Sequence, residues 1–285
     1  MPRSSGYTTA LRNIGSIRNS GFELQLDGRI IDRAVKWDLG VNFSLNRSKV
    51  LVLSEDKDIF GGVLDNTILK DQLNLMRVGE PMYVFYGYVE DGYDENGHIV
   101  YKNIDDDPTI TAPDKTIIGD PNPDFLVNLT TAVSYKGFTL SAFFQSSIGN
   151  DIYSLSMAAQ AYDYGYNGNT LREVYYNHWS PENPTAKYPN LDQTSYKMSD
   201  RFVYDGSFVR LKNLELAYDV PCARSKFIKR ARVYVSAQNL FTITSYPFWD
   251  PDINANGGGS SMIQGVDSYC YPSARTYTIG CRLTF

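Results

Sequence analysis

The chain has 285 residues, of which 42% are hydrophobic and 14% aromatic, and 27 Lys and Arg against 32 Asp and Glu give a formal net charge of −5. At roughly 150 residues per domain this is one large domain or two ordinary ones, and the acidic balance excludes a nucleic-acid binder that must neutralise phosphates with a basic face. With 22 Tyr, 14 Phe and 3 Trp beside 22 Gly, the composition favours sheet and points to an all-β protein.

No run is apolar enough for a spanning helix: the richest, Met82 to Val89 (MYVFYGYV), is far shorter than about 20 residues. Residues 1–10 lack the apolar stretch of a secretory signal. Strand periodicity begins at Gly21 to Asp27 (GFELQLD), where Phe22, Leu24 and Leu26 alternate with Glu23, Gln25 and Asp27. A short polar connection, Gly28 to Ala34, leads into Val35 to Asn46 (VKWDLGVNFSLN), which keeps strict period two over a length closer to the 9–11 residues of a tilted membrane strand than to the 5–6 of an ordinary one. The two form a predicted hairpin. Phe125 to Tyr135 (FLVNLTTAVSY) and Phe138 to Gln145 (FTLSAFFQ) form a second, joined by Lys136 and Gly137.

In Phe208 to Asp219 (FVRLKNLELAYD), Val209 and Leu211 are in one phase while Leu214, Leu216 and Tyr218 are in the other, so a bulge near Lys212 or Asn213 is needed to keep one face apolar. Ala231 to Gln238 alternates again, and Arg275 to Phe285 (RTYTIGCRLTF) runs alternating to the last residue. Between the hairpins lie long Pro- and Gly-rich stretches, Asp91 to Asp124, Asn150 to Gly206 and Tyr246 to Pro272. Unstructured connections of this length are uncommon in a compact soluble domain. Short turns at one end and long loops at the other are the asymmetry of an outer-membrane barrel. Trp37, Tyr135, Tyr218 and Tyr277, near strand ends and in phase with the apolar face, suit interfacial girdles. Glu23, Gln25, Asp38, Asn42, Asn128 and Arg232 are expected to line a wet lumen.

At the C-terminus Thr278, Gly280, Leu283 and Phe285 (TIGCRLTF) reproduce the polar, glycine, hydrophobic and terminal aromatic spacing of the barrel-assembly signal shared by bacterial outer-membrane barrels. The stretches NSGFE (Asn19 to Glu23), TIIGDPNPDF (Thr116 to Phe125), YKGFTL (Tyr135 to Leu140), HWSPENPTAKYP (His178 to Pro189), SDRFVYDGSFVRLKNL (Ser199 to Leu214), VYVSAQNLFTIT (Val233 to Thr244) and YPSART (Tyr271 to Thr276) follow in order. In these the chain resembles the C-terminal part of the SusC/RagA family of TonB-linked outer-membrane transporters of Bacteroidetes. The resemblance implies an antiparallel transmembrane β-barrel of about 22 strands with long extracellular loops, residues 1–285 forming its C-terminal portion. It implies uptake of oligosaccharides or peptides at the outer membrane of a Gram-negative bacterium. The implied partners are outer-membrane lipids, a SusD-like surface lipoprotein as lid, the barrel-assembly machinery, and TonB through an N-terminal part. The plug domain, TonB box and signal peptide of the family have no counterpart in this sequence, so transport is expected of a full-length parent. Two other readings are a small free-standing barrel or non-functional remnant, and a soluble carbohydrate-binding β-sandwich.

No catalytic, cofactor or metal constellation stands out. His98 and His178 are the only two histidines, neither set in a triad pattern, so an enzyme is the least supported class. Asp94, Asn96 and Gly97 (DENG) fall short of a calcium loop and read better as a hairpin turn. Cys222, Cys270 and Cys281 have neither disulfide-framework nor zinc spacing. The loop aromatics Tyr162, Tyr164, Tyr166, Trp179, Tyr188 and Trp249 are candidates for stacking on cargo or on a lid protein, as amphipathic rings do, with ordinary loop packing as the plainer reading.

Overall fold

The computed structural model describes residues 15–65, 68–162, 169–222, 227–253 and 262–285. Seven long strands make one sheet: β1 (Gly15–Asp32), β2 (Val35–Leu53), β3 (Phe125–Tyr135), β4 (Phe138–Ile148), β5 (Phe208–Val220), β6 (Arg230–Thr244) and β7 (Thr276–Thr284). They lie side by side in chain order, each antiparallel to the next, with β1 and β7 outermost. Among the described residues β1 and β7 do not meet, so these strands form an open wall and not the small closed barrel. Among the described residues no second sheet covers the apolar face.

The register explains why the alternation matters. Opposed residues share a face, and Trp37 faces Val133, Val133 faces Leu140, Leu140 faces Leu216, Leu216 faces Val235 and Val235 faces Ile279. One apolar row thus crosses six strands without a polar interruption, and parallel rows lie above and below it. From Val127 to Tyr135 the face extends about 27 Å along the strand at about 3.4 Å per residue, close to the roughly 25 Å apolar band of a membrane barrel. Its side chains stay open: Phe22 is 57% exposed, Ile279 86% and Tyr277 69%. An apolar surface of this extent requires a partner phase.

The irregularity expected in β5 is present. Phe143 pairs with Asn213 and Phe144 with Leu211, so Lys212 is passed over, and the pairing with β6 shifts at the same place. The bulge returns Leu211 and Leu214 to one face. At the β3–β4 turn Lys136 and Gly137 both have positive φ, 48° and 84°, the twist that a two-residue hairpin requires. The first hairpin differs from expectation: β1 and β2 run on to a turn at Arg33 and Ala34, so most of the polar Gly28 to Ala34 connection is strand.

The described parts of the long connections are ordered. Those between β2 and β3, β4 and β5, and β6 and β7 leave the same end of the sheet and fold together around Leu73, Phe85, Tyr101, Tyr153, Ala158, Tyr162, Met198, Phe202 and Val266. Helix α1 (Leu155–Tyr162) buries six of its residues in that core. The segments Asp151–Ser154, Val203–Asp205 and Val266–Asp267, one from each side of the β4–β5 connection and one from the β6–β7 connection, pair into a three-stranded sheet. Sequence periodicity misses this assembly because its strands are two to four residues long and its core comes from three distant loops.

Candidate functional site

The face opposite the apolar band carries the polar groups. Gln25 faces Asn42, Asn42 faces Asn128, Asn128 faces Gln145, Gln145 faces Arg210 and Arg210 faces Thr242, a row of polar side chains across six strands. Asn128 Oδ1 is enclosed without a hydrogen-bond partner among the described residues, an acceptor turned to this face. Glu23, Asp38 and Arg232 lie on the same side by register, with Asp38 held by Arg29 at 2.8 Å and Arg232 near Glu215 at 3.4 Å and Asp219 at 3.5 Å. The residues expected to line a lumen therefore share one face. Trp37, Tyr135, Tyr218 and Tyr277 lie on the other, the first three near the short turns and Tyr277 near the loops.

The loop assembly is fastened to the polar face through Arg210. Its guanidinium donates to Asp250, to Ser273 Oγ at 3.1 Å and to Asp252 at 3.3 Å, while Nε donates to Thr242 Oγ1 at 2.9 Å. Arg210 and Asp250 are both buried. The backbone amides of Asp252 and Ser273 each donate to Asp250 at 2.9 Å. Deeper in the loops Arg201 pairs with Glu90, which also accepts from Ser199 Oγ at 2.7 Å. The Tyr246 hydroxyl donates to Asp267 at 2.6 Å and accepts from Ser154 Oγ at 2.8 Å. Sequence reasoning missed Arg210, Asp250, Glu90 and Arg201. An Arg on the polar side of a strand looks like a solvated residue until the loop that meets it is known.

The expected contact residues fall into different settings. Tyr162 is 3% exposed and stacks on Tyr196 with ring centroids 3.9 Å apart, inside the loop core. Tyr188 is buried, its hydroxyl 3.3 Å from Glu173. Trp179 is half-buried against Gly97. Trp249, 57% exposed and stacked on Phe248, is the one of these four with a broadly open ring. Tyr164 and Tyr166 lie outside the described residues. His98 contacts Asp192 at 2.9 Å and His178 the Tyr175 carbonyl at 2.7 Å, both in loop contacts. The DENG segment is a hairpin turn between Glu90–Tyr93 and Ile99–Tyr101, with Asp94 accepting from the amides of Asn96 and His98.

In the C-terminal pattern Thr278 and Gly280 face the polar side and Leu283 the apolar side, with Phe285 just past the end of β7 and 71% exposed. The Tyr234 ring of β6 lies across Gly280, where an added Cβ would meet it at 2.4 Å. The three cysteines form no disulfide, and Cys281 lies exposed on the apolar face.

A sheet wet on one side and apolar on the other, with short turns at one end and packed loops at the other, has the two-faced build of a membrane β-barrel wall. No protein-family model matches the chain. Over its whole length it is 32% identical to the TonB-dependent receptor P3 of Formosa agariphila, covering 30% of that receptor, and over 96% of its length it is 29% identical to the TonB-dependent receptor SusC of Bacteroides thetaiotaomicron. It superposes along its entire length on the solved structure of the RagAB peptide transporter with a TM-score of 0.80 at 26% identity, covering 31% of that chain. The chain is thus similar, along its whole length, to TonB-dependent receptors that include SusC and to the RagAB transporter, and it spans about 30% of the length of those it matches. Receptors and transporters of this kind are not enzymes.

Proposed function

We propose that residues 1–285 form the C-terminal part of the barrel wall and outer loops of a TonB-dependent importer in the outer membrane. The observation that carries this is the in-register apolar band across all seven strands, backed by the polar row on the other face. Lipid takes the band, and the polar face lines the lumen through which cargo passes. The cargo class is oligosaccharide or peptide. A SusD-like surface lipoprotein seats on the loop end, where Trp249 and Trp179 offer ring surface to cargo or lid while Tyr162 and Tyr188 shape the loops from within. TonB acts through an N-terminal part of the parent protein. Thr278, Gly280, Leu283 and Phe285 form the segment read by the barrel-assembly machinery. Liposome flotation tests the membrane assignment: the refolded chain should rise with the vesicles and resist alkaline extraction. A chain that stays monomeric and soluble without detergent would return the reading to a soluble binding module.

A further inference from the structure

The polar face changes character at its short-turn end. There Arg230, Arg232 and Arg282, with Lys229, line an open cleft of about 450 Å³ together with Asp219 and Thr284. Arg232 and Arg282 are directly opposed across β6 and β7, and Arg230 lies two residues along from Arg232, opposite Thr284. Like charges directly opposite one another destabilise a sheet. Among the described residues the carboxylates in ion-pair reach of this group are Glu215 and Asp219, and both reach Arg232. Three guanidiniums on one face therefore have two neighbouring carboxylates, in a chain whose net charge is −5.

We propose that this cleft is a docking site for an extended acidic polypeptide segment that lies on the polar face and presents carboxylates to Arg230, Arg232 and Arg282. The spacing favours a peptide over a single small anion. Residues two apart on a strand are about 7 Å apart and point the same way, so Arg230 and Arg232 match successive same-face carboxylates of an extended chain, and Arg282 takes a further one from the adjacent strand. Guanidinium forks suit carboxylates in paired geometry. The site is on the face opposite the apolar band, which turns it away from lipid headgroups.

The test uses the whole 285-residue chain refolded in detergent micelles and a fluorescent octapeptide alternating Asp with Thr, with an Asn-for-Asp peptide as control. Anisotropy should show the Asp peptide binding at about 50 mM salt and weakening sharply at about 500 mM, while the Asn peptide does not bind. The double variant R230Q/R282Q, with an unchanged far-ultraviolet spectrum, should weaken binding about tenfold or more, and R230K/R282K, which keeps the charge and loses the fork, should weaken it less. If the glutamine variant fails to fold, the lysine variant and the salt dependence of the unaltered chain decide. Equal binding of both peptides, no binding at low salt, or binding indifferent to R230Q/R282Q would overturn the site. Displacement of the peptide by inorganic phosphate, at ionic strength where chloride leaves it bound, would make it a small-anion site. Self-association lost in the same variant would make the occupant a second copy.

Discussion

Arg210 on β5 and Asp250 in the β6–β7 loop form an ion pair whose side chains are 2% and 7% exposed, and it fixes a loop to the polar face of the wall. A buried charge pair adds little over a well-packed apolar pair, but removing one partner strands the other in a dry site. The pair therefore acts as a two-part fastener, intact or costly.

Asp250→Ala should destabilise the loop assembly by about 3 kcal/mol, the low end of the cost of breaking a buried pair, because it removes the buried carboxylate while the half-exposed Asp252 at 3.3 Å still accepts from the guanidinium. Asp250→Leu combined with Arg210→Met should cost less than Asp250→Ala alone. Denaturant midpoints and protease cleavage in residues 262–273 read both effects, and a double variant worse than the single would show that the packing around Arg210, and not its charge, does the fastening.

The same carboxylate gives the loop a pH signature. Burial works against ionisation of Asp250, yet the amides of Ser273 and Asp252 and the Arg210 guanidinium prevail and hold its pKa below the usual value. A carboxyl depressed on folding contributes stability that is complete above its unfolded pKa, about 3.9, and is lost as pH falls through the folded one. Loop protection should thus be flat from about pH 7 to 5 and decline below about pH 4. Asp250→Asn should remove this component of the decline and leave that due to other carboxylates.

Deleting Lys212 should be tolerated better than a deletion elsewhere in β5, since the β4 ladder already passes over it and Leu211 and Leu214 keep to the apolar face, while on the β6 side Asn239 and Leu240 are left to loop out between Gln238 and Phe241. Deleting Ala217 should not be tolerated: it puts Tyr218 and Val220 on the polar side, the consequence of any one-residue slip. Refolding yield in detergent, read by circular dichroism and protease protection, separates the two.

Tyr162→Ala should cost about 3–5 kcal/mol through loss of a stacked ring in the loop core. Its buried hydroxyl has no hydrogen-bond partner among the described residues, so Tyr162→Phe should be neutral or stabilising by up to about 1 kcal/mol. Trp249→Ala, at an open ring, should shift stability by no more than about 0.5 kcal/mol, with any loss appearing in cargo or lid binding by a full-length parent. Denaturant titration of the three variants checks the contrast.

The wall was legible because its constraints repeat along the chain. Phe125 to Tyr135 shows both its bounds and its two faces in alternation alone, and the phase change between Leu211 and Leu214 locates the bulge. Its resemblance to a family rests on loop and turn stretches such as TIIGDPNPDF and YPSART, and the superposition agrees with it. The loops were not legible, because Tyr153, Tyr162 and Val266 are far apart in sequence and meet only after folding. Local polarity near Tyr162 suggests an accessible ring, whereas Tyr196 and Phe202 enclose it. Arg210 fails for the same reason: period two gives its face correctly and is silent on what comes to cover it.

Gly280 is the place where a terminal sequence pattern and a packing contact coincide. An added Cβ would lie 2.4 Å from Tyr234 Cζ and 2.5 Å from its hydroxyl, so the ring must swing away. Because these are the outer atoms of a side chain, the backbone need not move, and the penalty should be the lost cross-strand contact, at most about 1 kcal/mol. Gly280→Ala should therefore weaken the β6–β7 pairing only while Tyr234 is present, with Tyr234→Ala alone costing a similar amount and the double variant little more than either single. If Gly280→Ala in a full-length parent abolishes outer-membrane assembly regardless of the residue at 234, glycine is being read by the assembly machinery. If Tyr234→Ala restores assembly, the glycine is there to seat the ring, and the pattern is a folding constraint of the last strand pair.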